Sequence, residues 1–353
     1  MPQDRGVNLD ELRRIAAERL PAPVTEYFNQ GASAEVSTAA APGAWDNLRF
    51  RPRLLRDVSE VSTATTVLGH ELATPVCVAP TAMQRAAHPD GEAAAALGTA
   101  KAGSLVAVST NSGTTFEQIG ATGARWWLQS YVMRDRGLTT AILQRARDAG
   151  ASAVVLTADT AVVGRKHNAG PVIWEVVPDE YTLANLELRD VPDEAIDKAA
   201  DLTPDTIGWL REVTGLPVIV KGLLRGDDAR VAVAAGASAV QVSNHGGRQL
   251  DQTVATADAL PEIVDALSGT GAEVYVDGGI RRAEHVLAAL ALGARAVFLG
   301  RPVLWALTAG GESGEGGSEG VAQLLAEFTD DLEHVMRLAG VRTTAEIGRD
   351  LLC

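Results

Sequence analysis

Cysteine is almost missing from this 353-residue chain. Its two residues, Cys77 in an apolar run and Cys353 at the last position, cannot build a disulfide framework and show no metal-ligand spacing. Both read as inert thiols. No apolar run approaches the ~18 residues that a membrane span needs. The stretch Met1 to Asp10 is polar, unlike a secretory signal, so a cytoplasmic protein is expected. Positive charge is also in short supply: 31 Lys and Arg against 45 Asp and Glu leave a net charge of -14, which argues against bulk attraction to nucleic acid or anionic membrane. Any anion site must be built from particular residues.

What is present suits a soluble α/β chain with a full core: 46% hydrophobic residues, 22% charged, few aromatics and much Ala and Gly. Length alone allows two domains or one large barrel. The pattern decides. From residue 74, strand-like runs recur at Pro75–Ala79, Leu105–Ser109, Trp126–Ser130, Ala153–Thr157, Val218–Lys221, Ala239–Val242, Glu273–Asp277 and Ala296–Gly300. Helical segments alternate with them at 91–102, 138–149, 204–214, 227–235, 256–267 and 281–292, with a short one near 114–119 and a last one over 319–339. Several open on Asp, Thr or Gly and close on Gly, as caps require. Eight βα units in tandem predict a (β/α)₈ TIM barrel over 74–340, within a single domain that spans 1–353.

An N-terminal helical extension occupies 1–73: Leu9 to Leu20 has helical spacing, Val24 to Phe28 resumes it, and Trp45 to Arg53 reads as an irregular, Arg-rich connection. After the fourth strand, 161–203 carries acidic clusters and no clear strand, which marks a lid insertion. The run Ala309 to Gly320 reads as a flexible surface link.

In such a barrel the loops after the strands carry the site. The richest is Ser243-Asn244-His245-Gly246-Gly247-Arg248-Gln249-Leu250-Asp251, which follows the apolar run Ala239–Val242. Its glycines let a ligand approach the main chain. His245 can take a proton near neutral pH, and Arg248 can grip a carboxylate in two-pronged fashion. Asp277-Gly278-Gly279-Ile280-Arg281 and Gly300-Arg301 follow the seventh and eighth strands, where barrels commonly hold phosphate. Lys221 ends an apolar run and would emerge in the barrel mouth, either to form a Schiff base or to stabilise an anion. Tyr27 is a core aromatic or a pocket residue.

With Pro80-Thr81-Ala82-Met83-Gln84, Ala87 to Glu92, Gln129-Ser130-Tyr131 and Val220-Lys221-Gly222 added, the chain resembles the FMN-dependent α-hydroxy acid oxidases and dehydrogenases from about Leu9 to Gly340. The resemblance implies that His245 is the base facing the substrate Cα and Asp159 its orienting carboxylate. It further implies that Arg248 and Arg165 bind the substrate carboxylate with help from Tyr27, and that Tyr131 bonds the substrate hydroxyl. FMN would lie against Pro80, Thr81, Ala82, Ser109, Gln129, Thr157 and Ser243. Lys221 would face its N1 side, and Asp277, Gly279, Arg281, Gly300 and Arg301 would surround its phosphate. The activity implied is oxidation of an (S)-2-hydroxy acid to the 2-oxo acid, with O₂ as electron acceptor, by a homotetramer or octamer. A dehydrogenase with a quinone or protein acceptor and a decarboxylating monooxygenase share these residues. A flavin-free aldolase or isomerase using Lys221 is the alternative from another class. The chain departs from the family pattern at Lys166-His167-Asn168-Ala169-Gly170-Pro171, and Asn111 stands where the glycolate oxidase type tends to carry Trp.

Overall fold

The computed structural model describes residues 8–167, 173, 176–186, 191–311 and 313–353. Its centre is a closed barrel of eight parallel strands: β3 (Val76–Val78), β4 (Leu105–Ser109), β5 (Arg125–Ser130), β6 (Val154–Thr157), β7 (Val218–Leu223), β8 (Ala239–Val242), β9 (Glu273–Asp277) and β10 (Ala296–Leu299), the last pairing back onto β3. All eight expected runs are barrel strands. Three are a residue or two shorter than expected (β3, β6 and β10), β5 starts one residue earlier at Arg125, and β7 continues past a register shift between Lys221 and Leu223.

Side chains alternate across each strand. One set, including Val76, Val106, Leu128, Val154, Val240 and Val297, packs outward with the helices; the other, including Leu105, Ala107, Trp127, Ala153, Ile219, Tyr275 and Phe298, fills the barrel. Trp127, Tyr275 and Phe298 meet with centroids 5.4–5.8 Å apart, and alanines at 107, 153, 239 and 296 make room for them. A hairpin that the sequence did not announce, β1 (Thr65–Val67) and β2 (His70–Leu72), sends Val67 and Leu72 into this same cluster. Three residues per strand are too few for a readable alternation.

Helices Leu9–Arg19, Ala22–Asn29 and Val36–Asp46 form the N-terminal extension. Where an irregular connection was expected to begin at Trp45, the third helix runs through Pro42 to Asp46. Its N-terminus has no local side-chain cap. The Asp251 carboxylate, far along the chain, accepts from the N–H groups of Ala34, Val36 and Ser37 at 3.1, 3.2 and 2.9 Å. That satisfies the orphan donors of a helix start.

Two further corrections concern the C-terminal half and the lid. Helix Arg301–Ala309 follows β10 directly, and the Gly-rich run after it is a close contact, not a free link. A Cβ on Gly320 would lie 2.1 Å from the Ala306 carbonyl oxygen, so only glycine lets helix Gly317–Ala339 approach this closely. In the lid, short helices form at Glu180–Leu183 and Asp193–Ile196, and isolated bridges Ser33–Lys166 and Met133–Lys198 fix its two ends. The atypical stretch Asn168 to Pro171 lies outside the described residues. Among the described residues no helix is long and apolar enough to cross a membrane.

Candidate active site

The inward register that is apolar at the base of the barrel turns polar at the strand C-termini, with Gln129, Thr157, Lys221, Gln241 and Asp277. The Lys221 ammonium is buried, and two contacts make that tolerable: the Asp277 carboxylate at 3.4 Å and the Ser243 hydroxyl at 2.8 Å. Ser243 donates to Asp277 at 2.7 Å, and Gln241 donates to its other oxygen at 2.7 Å. Asp277, expected beside a phosphate, is thus committed to holding Lys221; a carboxylate would repel that anion.

The loop after β8 turns abruptly. His245 has φ 57°, left-handed and strained for a residue with a Cβ. Gly247 continues the turn at φ 75°, where a Cβ would lie 2.3 Å from the Thr38 hydroxyl. Side chains of the same motif tie it down. Gln249 donates to Thr160 at 2.7 Å and accepts from the Gly164 N–H at 2.8 Å, and the Ser243 hydroxyl accepts from the His245 N–H at 3.1 Å. The strain is held from three sides.

His245 Nδ1 lies 2.9 Å from Asp159 Oδ1, which also accepts from the Thr160 hydroxyl at 2.9 Å. The neutral ring therefore carries its proton on Nδ1, toward the carboxylate, and Nε2 keeps a lone pair. Burial pushes the Asp159 carboxyl up, but His245 and Lys221 more than offset this and hold it at about 2. Burial and Lys221 pull the imidazole below its ordinary 6.5 against the upward effect of Asp159. The pair is a base that is neutral and ready at pH 7, backed by a carboxylate that stays ionised.

Above the barrel a cavity of about 870 Å³, counting its open mouth, is lined by Tyr27, Pro80, Thr81, Ala82, Gln129, Tyr131, Thr157, Lys221, His245, Arg248, Asp277, Gly279, Arg281, Gly300 and Arg301. Phe28, Phe298, Ile280 and Leu304 add apolar wall that sequence reasoning missed. Arg248 donates to the carbonyls of Tyr27 and Gln30 at 2.7 and 2.9 Å through one nitrogen, and its guanidinium lies 4.9 Å from the Tyr27 ring centroid. Arg301 shares the Gln30 carbonyl with Arg248, donating to it at 3.1 Å; burial, Arg248, Arg281 and Arg13 lower Arg301 to about 9, and burial and Arg13 lower Arg281 to about 10. Guanidinium groups stay protonated in proteins. These directions therefore record buried positive charge without a counter-ion, which a phosphate group would supply.

Three expected residues stand elsewhere. Ser109 is buried beside the cavity, where its hydroxyl accepts from the Asn111 N–H at 3.1 Å, and Ser243 lies below the lining. Arg165, expected at the substrate carboxylate, is exposed. Its backbone explains this: Gly164 N–H is held by Gln249, and the Arg165 carbonyl accepts from Ser33 N–H at 2.9 Å, which turns the side chain to solvent. The neighbouring Lys166 faces inward and donates to the Arg248 carbonyl.

The loop after β9 has a support that no local signal announced. Trp45 Nε1 donates to the Gly278 carbonyl at 2.8 Å, and buried His285 accepts from the Arg281 N–H at 3.2 Å while its Nε2 meets Asp46 at 2.8 Å. These partners are far apart in sequence, and only folding pairs them.

Known proteins are similar to this chain in sequence and in fold. The family model described as FMN-dependent dehydrogenase matches residues 16–353. The chain is 40% identical to glycolate oxidase 3 of Arabidopsis thaliana, over 97% of this chain and 94% of that protein. It is 38% identical to an L-lactate oxidase of a Nostoc species, over 98% of each. The crystal structure of a mandelate oxidase with (S)-4-hydroxymandelic acid superposes with a TM-score of 0.88 at 38% identity, covering 98% of both chains. Barrel, cation-lined cavity and near full-length identity lead to one conclusion: the chain belongs to the FMN-dependent dehydrogenase family and is a flavoprotein oxidoreductase with FMN as its cofactor.

Proposed function

We propose that the protein oxidises an (S)-2-hydroxy acid to the 2-oxo acid and that the electrons leave to O₂, giving hydrogen peroxide. The observation that carries this is the His245–Asp159 pair, 2.9 Å apart, opening into the same cavity as Arg248, Tyr131 and Lys221. Arg248 binds the substrate carboxylate through the guanidinium nitrogens that the Tyr27 and Gln30 carbonyls leave over. Tyr131 holds the substrate hydroxyl; burial and the Asp159 charge keep its phenol protonated by raising it above its ordinary value. His245 Nε2 takes a proton from the bound substrate, and Asp159 stabilises the imidazolium that results. FMN, when bound, supplies the two-electron acceptor that side chains lack. Lys221 places a positive charge at the cavity floor where negative charge accumulates during oxidation, an electrostatic role rather than Schiff-base chemistry. Glycolate, lactate and mandelate oxidases among the relatives support this class of substrate.

The test is anaerobic mixing of the yellow holoprotein with a panel of (S)-2-hydroxy acids while the flavin band is followed, then admission of air. Bleaching by a hydroxy acid and rapid recolouring with peroxide release is the expected result. Absence of bleaching by every acid refutes the activity, and sluggish recolouring refutes O₂ as acceptor. We further propose a cytoplasmic homotetramer or octamer. Leu54, Leu55, Val162 and Val163 expose apolar surface that a second copy can cover, and the exposed free Cys353 suits a reducing compartment. Light scattering at a monomer mass would count against the assembly.

A further inference from the structure

We infer that Lys198 reads a second carboxylate on the substrate, so that the preferred substrates are 2-hydroxy dicarboxylates. The inference rests on the hydroxy acid oxidation proposed above and narrows it. Lys198 belongs to the segment that returns from the lid to helix Asp205–Thr214, and its place is set by backbone, not by chance of a mobile loop. It bridges to Met133, with Arg134 N–H donating to the Asp197 carbonyl at 2.8 Å and Ala199 N–H donating to the Val132 carbonyl at 2.8 Å. From there its ammonium reaches over Tyr131, 3.7 Å from the ring centroid. Tyr131 forms part of the cavity wall and is itself held by its N–H to the Thr110 hydroxyl at 3.3 Å.

A half-buried ammonium needs compensation. Among the described residues no carboxylate pairs with Lys198. The ring face attracts it without neutralising it. Asp159 attracts it without forming an ion pair: its Oδ1 is taken by His245 and Thr160, and its Oδ2 has no hydrogen-bond partner. Burial, partly opposed by Asp159, brings the ammonium down to about 8, so it stays charged at pH 7. Beside the Tyr131 wall of the cavity there is thus an ammonium with no ion-pair partner among the described residues.

The placement of the substrate follows. With its first carboxylate on Arg248 and its hydroxyl between His245 and Tyr131, the group attached to Cα is directed along the Tyr131 wall, where it meets Lys198. An alkyl or phenyl group there would leave the ammonium buried and unpaired; a carboxylate would pair with it. The net charge of -14 repels a dianion in general, so recognition of one needs a cation at this point.

The experiment uses the holoenzyme and matched pairs of substrates: (S)-malate against (S)-2-hydroxybutyrate, and (S)-2-hydroxyglutarate against (S)-2-hydroxyvalerate. Each pair differs by a methyl group in place of the distal carboxylate. The expected result is a kcat/KM about ten- to a hundredfold higher for the diacids. Lys198→Met should bring that ratio close to one, and Lys198→Arg should restore most of it. Bleaching of the flavin by the monoacids with no preference for diacids, or a ratio unchanged in Lys198→Met, overturns the inference and leaves the hydroxy acid reaction standing. Failure of every hydroxy acid to bleach the flavin overturns both.

Discussion

Replacing Asp159 by Asn tests the base assignment most directly. The carboxylate sits 2.9 Å from His245 Nδ1 and is held at about 2 instead of its ordinary 3.8, a preference for the charged form of about 2–3 kcal/mol at 1.36 kcal/mol per tenfold. Burial works against that preference, so the attraction to the imidazolium is at least this large. An amide of the same shape removes it. The ring must still accept a proton during turnover, now without a counter-charge, and the bimolecular rate of flavin reduction should fall about a hundredfold. Flavin binding should change little, because Asp159 touches His245 and Thr160 and is not part of the cavity lining. The assay is stopped-flow bleaching of the flavin under anaerobic conditions, with FMN affinity measured in parallel by fluorescence. A variant that reduces its flavin within about threefold of the parent rate would refute the pairing of Asp159 with the base.

The pH profile follows from His245, whose folded value lies below its ordinary 6.5. Protons prefer the unfolded chain in the window between the two values, so this residue makes the fold less stable as pH drops through it. kcat/KM should rise with pH with a midpoint below the ordinary imidazole value; a midpoint above that value would contradict a neutral resting imidazole. Arg281→Ala should weaken FMN about ten- to hundredfold, the range of a charge-assisted bond, while riboflavin, which has no phosphate, binds almost as before. Equal losses for both ligands would remove Arg281 from the phosphate site. Trp127→Ala empties the centre of the barrel and should cost about 3–5 kcal/mol in urea unfolding of the holoprotein; a cost under about 1 kcal/mol would mean that Tyr275 and Phe298 close over the gap.

The barrel was legible because it is written in local chemistry. Each strand is a short apolar run, several of them following a helix-ending glycine, and eight in tandem leave few other ways to bury both faces. The same regularity put His245, Arg248, Lys221, Arg281 and Arg301 at strand ends, so a single loop motif already located one wall of the cavity. Residue type and strand position thus determined the architecture and an anion site at the strand ends, while the cofactor class and most of the lining came from the family resemblance.

Tertiary structure decided what depends on partners distant in sequence. Helix Val36–Asp46 is capped by Asp251, the loop after β9 hangs on Trp45 and His285, and Gly320 is required by the Ala306 carbonyl, none of which leaves a local trace. Of the adjacent cations Arg165 and Lys166, the resemblance favoured Arg165 for the substrate carboxylate and gave Lys166 no role. The backbone bond from Ser33 turns the first to solvent and leaves the second at Arg248. Lys198 reads as one charge in an acidic lid until its bridge to Met133 sets its ammonium over Tyr131. Propensity and periodicity act over a few residues, whereas burial and hydrogen-bond satisfaction act through space. The first chose the fold, and the second chose which charges face the substrate.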